Sequence, residues 1–405
     1  MFNIIVLGLV SLLTDVSSEM VYPLLPLFLT TRLGAGPAIV GLIEGIAESL
    51  ASLLKVFSGY VSDWFGRRKP LAVLGYGSST AGKVVLYLAG SWPAVLAARV
   101  IDRFGKGVRT APRDALIADS STPETRGRAY GLHRAMDTLG AAVGVLLAYY
   151  FITAYKGDYS RVFLWAMVPA FLGVAALFLV REGRARAVAY SGADNGEGGV
   201  SSSDRQSGAG GLMPGTSRRR LPPFQWSKLD RRLRRFLVVV SLFALGNSSN
   251  QFLLLRASNI GFGPATILLV YLLYNMVYAA LSYPAGRLSD RIGRKTLLVA
   301  GYATYGLVYL GFAFAGSPWH IWTLFAVYGV YTALTEGVEK ALVADIAPGE
   351  LRATTIGLHA TLVGIALLPA SLLAGLLWKF FGPQATFLLG GLTGLLAAAG
   401  IWTLI

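Results

Sequence analysis

The stretch Gly59-Tyr-Val-Ser62-Asp63-Trp-Phe-Gly66-Arg67-Arg68-Lys69 is echoed far downstream as Gly286-Arg-Leu-Ser289-Asp290-Arg-Ile-Gly293-Arg294-Lys295. Each copy leaves a long apolar run and ends on a glycine followed by basic residues. A second pair accompanies it: Ala115-Leu-Ile-Ala-Asp119 and Ala341-Leu-Val-Ala-Asp345. At the same offset, Glu124, Arg126, Gly131, Leu132 and His133 return as Glu350, Arg352, Gly357, Leu358 and His359. The chain is therefore built from two similar halves. Two parallel six-helix repeats with a site near the midplane between them form a transporter architecture.

Composition agrees. Of 405 residues, 54% are hydrophobic and 14% charged, against about 25% charged in soluble domains. The pattern predicts an all-α polytopic membrane protein with spans near residues 3–30, 37–63, 71–90, 94–118, 127–154, 161–181, 235–256, 264–286, 297–315, 319–345, 354–378 and 384–404. The first run is too long, and too polar in its middle, for a signal peptide. Residues 182–234 are rich in Gly, Ser and Arg and predict a flexible cytoplasmic linker between bundles 1–181 and 235–405. The end of that linker, Arg231 to Arg235, reads as an amphipathic segment at the membrane surface.

The net charge is +15. Most of the excess falls in loops on one side, which by the positive-inside rule places both termini in the cytoplasm of a cell (inner) membrane protein. A nucleic-acid binder is not expected, because the basic residues alternate with apolar runs. There is no cysteine, so disulfides, thiolate metal sites and Cys nucleophiles are excluded. No nucleophile motif, phosphate loop or metal cluster points to an enzyme or a cofactor.

The loop pattern G-x-x-x-D-x-x-G-R-[RK]-[RK] at 59–69, and its shorter copy at 286–295, resembles that of the major facilitator superfamily. The resemblance covers the chain apart from the linker. It implies twelve transmembrane helices in two pseudo-symmetric bundles, alternating access, and a conformational-gate role for Gly59, Asp63, Gly66, Arg67, Arg68, Gly286, Asp290, Gly293 and Arg294. Gly140-Ala-Ala-Val-Gly144-Val145 also resembles part of the superfamily's exporter motif, with Val145 where that motif has proline. Gly140 and Gly144 equally form a small-residue packing pair.

Charged side chains inside the spans are the candidate functional residues, because each costs about 3 kcal/mol or more against lipid. Arg99, Asp102, Lys106, Arg109 and Arg113 form a stripe on the fourth span, with Arg103 beside it. Asp15 with Glu19, and Glu44 with Glu48, are four-residue pairs on the first two spans. These four are candidate proton carriers, with Asp15 and Glu19 first, because helix one faces the cavity in the family. The alternative reading is that Asp15, Glu19, Glu44 and Glu48 neutralise the stripe in buried ion pairs, and most of these charges are expected to be structural. Substrate-cavity candidates are Arg99, Asp102, Arg103, Lys106, Asn247, Asn250, Gln251, Tyr274, Asn275 and Glu336. Tyr271, Tyr274, Tyr278, Tyr328 and Tyr331 form aromatic faces that serve as packing or as a ligand box.

The expected function is proton-coupled export of a small organic molecule by a monomer in the bilayer. Two other transport readings stay open. One is a divalent metal, such as iron, or its chelate, held by Asp15, Glu19, Asn247, Asn250 and His359. The other is import of an organic anion on the basic stripe. A receptor without transport explains the repeat poorly.

Overall fold

The computed structural model describes residues 2–65, 68–121, 126–180, 229–346 and 352–405. Twelve helical spans follow one another: α1 Phe2–Arg32, α2 Pro37–Phe65, α3 Lys69–Tyr87, α4 Trp92–Asp119, α5 Arg126–Ala154 and α6 Tyr159–Leu177. The second six are α7 Arg231–Asn259, α8 Pro264–Ile292, α9 Arg294–Phe314, α10 Pro318–Ile346, α11 Arg352–Phe381 and α12 Pro383–Leu404. The fold is the twelve-helix, two-bundle architecture expected from the repeat.

The starts of the helices are written in the sequence. Pro37, Pro264, Pro318 and Pro383 open α2, α8, α10 and α12, where a missing N–H costs nothing. Asp158 caps α6, its Oδ1 accepting from Ser160 N at 3.0 Å. Gly293, at φ +91°, makes the abrupt turn from α8 into α9. Asp230 caps α7, its Oδ1 accepting from Arg232 N at 2.6 Å. Arg231 to Arg235, expected as an amphipathic segment leading into the seventh span, forms the first turn of α7. The linker residues 182–228 lie outside the described residues.

Asn3 on α1 donates to Ser120 at the end of α4, and Arg235 on α7 donates to Leu404 O at the end of α12. Odd spans therefore begin, and even spans end, on one face of the bundle, here called the terminal face. Among the described residues, nine spans are long and apolar enough to cross a membrane on composition alone. The other three are α3, α4 and α10. For α4 the reason is plain: it carries the charge stripe, which pairs with α2 rather than facing lipid.

Small residues bring the helices together. In the first half, a Cβ added at Gly140 of α5 would lie 2.5 Å from Leu12 O of α1, and one at Gly144 would lie 2.5 Å from Val16 O. The packing role of this glycine pair is thus explicit. Between the halves, α2 lies against α11: Ser49 Oγ donates to Gly364 O at 2.7 Å, and a Cβ at Gly375 would meet Pro37 O at 2.6 Å. This seam runs from the face opposite the termini to mid-membrane.

Two spans are irregular where they meet. In α1, Tyr22–Leu24 is a 3-10 turn and Phe28–Arg32 a π turn. Pro26 withholds the N–H that would normally reach Tyr22 O. Leu25 N and, from the other half, Gln251 Nε2 at 3.1 Å reach it instead. In α7 the helix breaks between Gly246 and Gln251. The matched motifs of the two halves are offset by 226 or 227 residues (Asp119 to Asp345, Gly59 to Gly286), which carries Tyr22–Leu24 onto the stretch 248–251. The two distortions are repeat-related and face each other across the midplane.

Candidate functional site

The charges of α2 and α4 form a compact lattice. Glu44 is buried and receives Arg99 Nε and Nη2 at 3.0 Å each, a bidentate pair. One turn on, Glu48 Oε1 lies 3.0 Å from Arg103 Nε. Asp102 Oδ2 lies 3.5 Å from Arg99 Nη1 and 3.9 Å from Arg103 Nη1. Tyr22 of α1 lies under both guanidiniums, 5.8 and 6.0 Å from its ring centre. Three carboxylates thus face two arginines, and the basic character of this part of the stripe is cancelled where it stands.

The two outer arginines of the stripe, and Lys83 of α3, are also engaged, while Lys106 faces the cavity. Arg109 lies over the Tyr76 ring at 4.6 Å and donates to Ser79 Oγ. Arg113 pairs with Asp114 at 2.8 Å and reaches Ser11 Oγ at 3.3 Å. Lys83 Nζ donates to Ser18 Oγ of α1 at 3.3 Å.

Between the halves lies a cavity of about 350 Å³. Its first-half wall carries Asp15, Glu19, Glu48, Lys83, Asp102 and Lys106, with Arg99, Arg103 and Arg109 also reaching it. Its second-half wall is neutral: Asn247, Asn250, Tyr271, Tyr274 and Asn275, with Ser248 and Ser249 from the break in α7. Asp15 and Glu19 differ from the lattice carboxylates. Among the described residues neither has an ion-pair partner, and Glu19 Oε2 is buried without a hydrogen bond. Tyr271 of α8 stands beside Glu19.

Several expected cavity residues are placed elsewhere. Glu44 is sealed behind Arg99 and does not line the cavity. Gln251 is fully buried in the seam, where it clamps Tyr22 O; the break in α7 turns it away from the cavity. Glu336 lines a second cavity, of about 290 Å³, inside the second half. It accepts from Tyr278 Oη at 2.5 Å, and Arg134 of α5 donates to that same Tyr278 at 3.2 Å. This chain is a contact between the halves on the side of the terminal face.

His359 stacks on Phe236 and sits 3.5 Å from Glu339, apart from Asp15 and Glu19. Of the metal-ligand set proposed from sequence, Asp15, Glu19, Asn247 and Asn250 share the cavity between the halves, and His359 stands apart from it. Among the described residues no three His, Asp or Glu gather closely enough to share a metal ion.

The gate motif is partly in view. Gly59 lies on α2; the Asp63 side chain, Gly66 and Arg67 lie outside the described residues. Arg68 pairs with Asp119 and donates to Ala115 O at 2.8 Å. Arg294 pairs with Asp345 and lies 3.6 Å from Asp290. Both motif arginines therefore bind the end of the fourth span of their own half. Aligning the two glycines equates Arg294 with Arg67, whereas the ion pairs equate it with Arg68. Gly286 borders a groove on the terminal face together with Asp290 and Arg294.

Sequence reasoning missed Tyr22, Ser18 and the serines of α7. The signals were present: Pro23 and Pro26 mark the distortion of α1, and Asn247-Ser-Ser-Asn250 is a polar run in an apolar span.

The sequence matches the Major Facilitator Superfamily over residues 7–256 and 236–405. It is 38% identical to an uncharacterised MFS-type transporter of Methanocaldococcus jannaschii, covering 98% of this chain and 93% of that one. It is 24% identical to the multidrug resistance protein MdtH of Yersinia pestis, covering 97% and 92%. Among solved structures, the nucleoside transporter NupG superposes with a TM-score of 0.76 over 100% of this chain and 99% of that one, at 12% identity. A bacterial homologue of the lysosomal transporter Spinster, inward-facing and occupied, superposes with a TM-score of 0.71 over 99% and 96%, at 14% identity. Family match, full-length relative and fold agree: the chain belongs to the Major Facilitator Superfamily and is a multi-pass membrane transporter.

Proposed function

We propose that this transporter exports a small organic molecule in exchange for protons, working as a monomer with both termini in the cytoplasm of the cell membrane. The observation that carries the reading is the contrast among five intramembrane carboxylates. Glu44, Glu48 and Asp102 are each held by an arginine. Asp15 and Glu19 border the cavity with no such partner among the described residues. A carboxylate beside a guanidinium stays ionised; one in a poorly solvated cavity takes up and releases protons. Asp15 and Glu19 are therefore our proton carriers, and Glu44 and Glu48 are structural anchors.

One further point supports the reading. The MdtH relative is named a multidrug resistance protein. Import of an anion draws less support, because Arg99 and Arg103 are bound by Glu44, Glu48 and Asp102, Arg113 is bound by Asp114 and Arg109 lies on Tyr76, which leaves Lys106 as the stripe's one cavity cation without such a partner among the described residues. Transport of a metal ion is disfavoured by the separation of His359 from Asp15.

The test is a panel of organic substrates in proteoliposomes under an imposed pH gradient. The gradient drives movement of at least one compound by the wild-type chain, and Asp15→Asn with Glu19→Gln abolishes that drive. Gradient-driven transport that survives both substitutions contradicts the assignment.

A further inference from the structure

We propose that the cavity inside the second half is a subsite for the cationic group of an organic substrate, an amine or a quaternary onium, with Glu336 and Glu339 as its counter-charges. The inference rests on the transport reading and names the substrate class for it.

The walls come first. Phe243, Tyr274, Tyr302, Tyr328 and Tyr331 all line this cavity of about 290 Å³. Aromatic faces carry negative quadrupole potential and attract a poorly hydrated cation. These rings are held in place. The Tyr328 hydroxyl donates to Asn250 Oδ1 at 2.7 Å, Tyr274 and Tyr328 lie 5.3 Å apart, and Phe243 meets Tyr302 edge-on at 4.6 Å. Behind them Tyr305 stacks on Tyr309 at 4.1 Å and backs the wall. An aromatic face that could have been plain packing thus encloses space.

Charge comes second. Glu336 and Glu339 line the cavity, and among the described residues no Lys or Arg does. Tyrosines, not guanidiniums, bind these carboxylates: Tyr302 Oη donates to Glu339 Oε1 at 2.9 Å, and Tyr278 Oη to Glu336 Oε2 at 2.5 Å. His359 approaches Glu339 at 3.5 Å and adds charge only when protonated. Arg134 donates to that same Tyr278 and interacts with Glu336 from the terminal-face groove that both border, so Glu339 is the more enclosed of the two carboxylates. The first-half wall of the main cavity carries charges of both signs, whereas among the described residues the charged lining of the second cavity is the carboxylate pair of α10 alone.

Access comes third. Asn247, Asn250 and Tyr274 line both this cavity and the one between the halves. A substrate in the main cavity therefore has its cationic end within reach of α10. Together the two spaces are of drug-sized dimensions.

The experiment is equilibrium binding of radiolabelled tetraphenylphosphonium to the purified full-length chain in detergent, with no gradient. The wild type binds it; tetraethylammonium competes, and triphenylphosphine oxide, neutral and of similar shape, does not. Glu336→Gln with Glu339→Gln, and separately Tyr328→Ala, weaken binding about tenfold or more, while Tyr328→Phe retains it. Unchanged affinity in the Gln double variant overturns the proposal. So does equal competition by the neutral compound, or the absence of wild-type binding to both cations. The competition arms use the wild type alone, so they decide the matter even if a variant fails to fold. Intact cation binding with no pH-driven transport would overturn proton coupling and leave the subsite; the reverse result would overturn the subsite and leave the coupling.

Discussion

Arg99 lies with Glu44 in the first half, and each is almost completely buried. Removing one member of such a pair strands a charge, typically at a cost of about 3–5 kcal/mol, whereas replacing both by apolar residues of similar volume is often tolerated. Glu44→Ala should therefore lower the thermal unfolding temperature of the purified protein sharply. Glu44→Leu with Arg99→Leu should recover most of the loss. A single variant as stable as wild type would show that the pair holds nothing together. The sequence announced these charges but not their partners. Four-residue spacing put Glu44 with Glu48 on one face; which arginine each one meets depends on how α2 slides against α4. The same gap explains Arg68, whose pairing with Asp119 the alignment of the glycines does not give.

At the scale of an element, the spans were legible because each needs a long apolar run, and proline or aspartate marks many of their starts. Their irregularities were not. Pro23 and Pro26 bend α1 without ending it, and four polar residues break α7 inside a segment apolar enough to read as continuous. These breaks turn Gln251 into the seam and Asn247 and Asn250 into the cavity. Close helix contact carries its own prediction. Gly144→Val would press its branched side chain on Val16 O and on Glu19 Cβ, which a Cβ alone already meets at 2.5 and 3.0 Å. Overpacking of this kind costs about 1–3 kcal/mol. Thermal unfolding and transport should both suffer, whereas Gly77→Ala on α3, where nothing lies within 4 Å, should leave the unfolding temperature unchanged or raised. Equal behaviour of the two variants would contradict the packing role of the α1–α5 contact.

For the whole molecule, the two halves meet along α2–α11 on the face away from the termini, and through Arg134 and Tyr278 toward the terminal face. Alternating access requires the first contact to part. The contact must also re-form. Gly364→Phe on α11, where an added Cβ alone would lie 2.2 Å from Ser52 Cβ on α2, should keep the seam from closing and stop transport; transport at the wild-type rate would show that the seam need not close. The repeat, readable in the sequence, supplied the two halves; only the fold shows on which face they are closed.

The central claim is that Asp15 and Glu19 link proton movement to substrate movement. The direct measurement compares two assays on Asp15→Asn with Glu19→Gln in proteoliposomes: exchange of labelled for unlabelled substrate without a gradient, and accumulation driven by a pH gradient. Exchange should persist while pH-driven accumulation is lost. Accumulation at the wild-type level in the doubly substituted protein would contradict it.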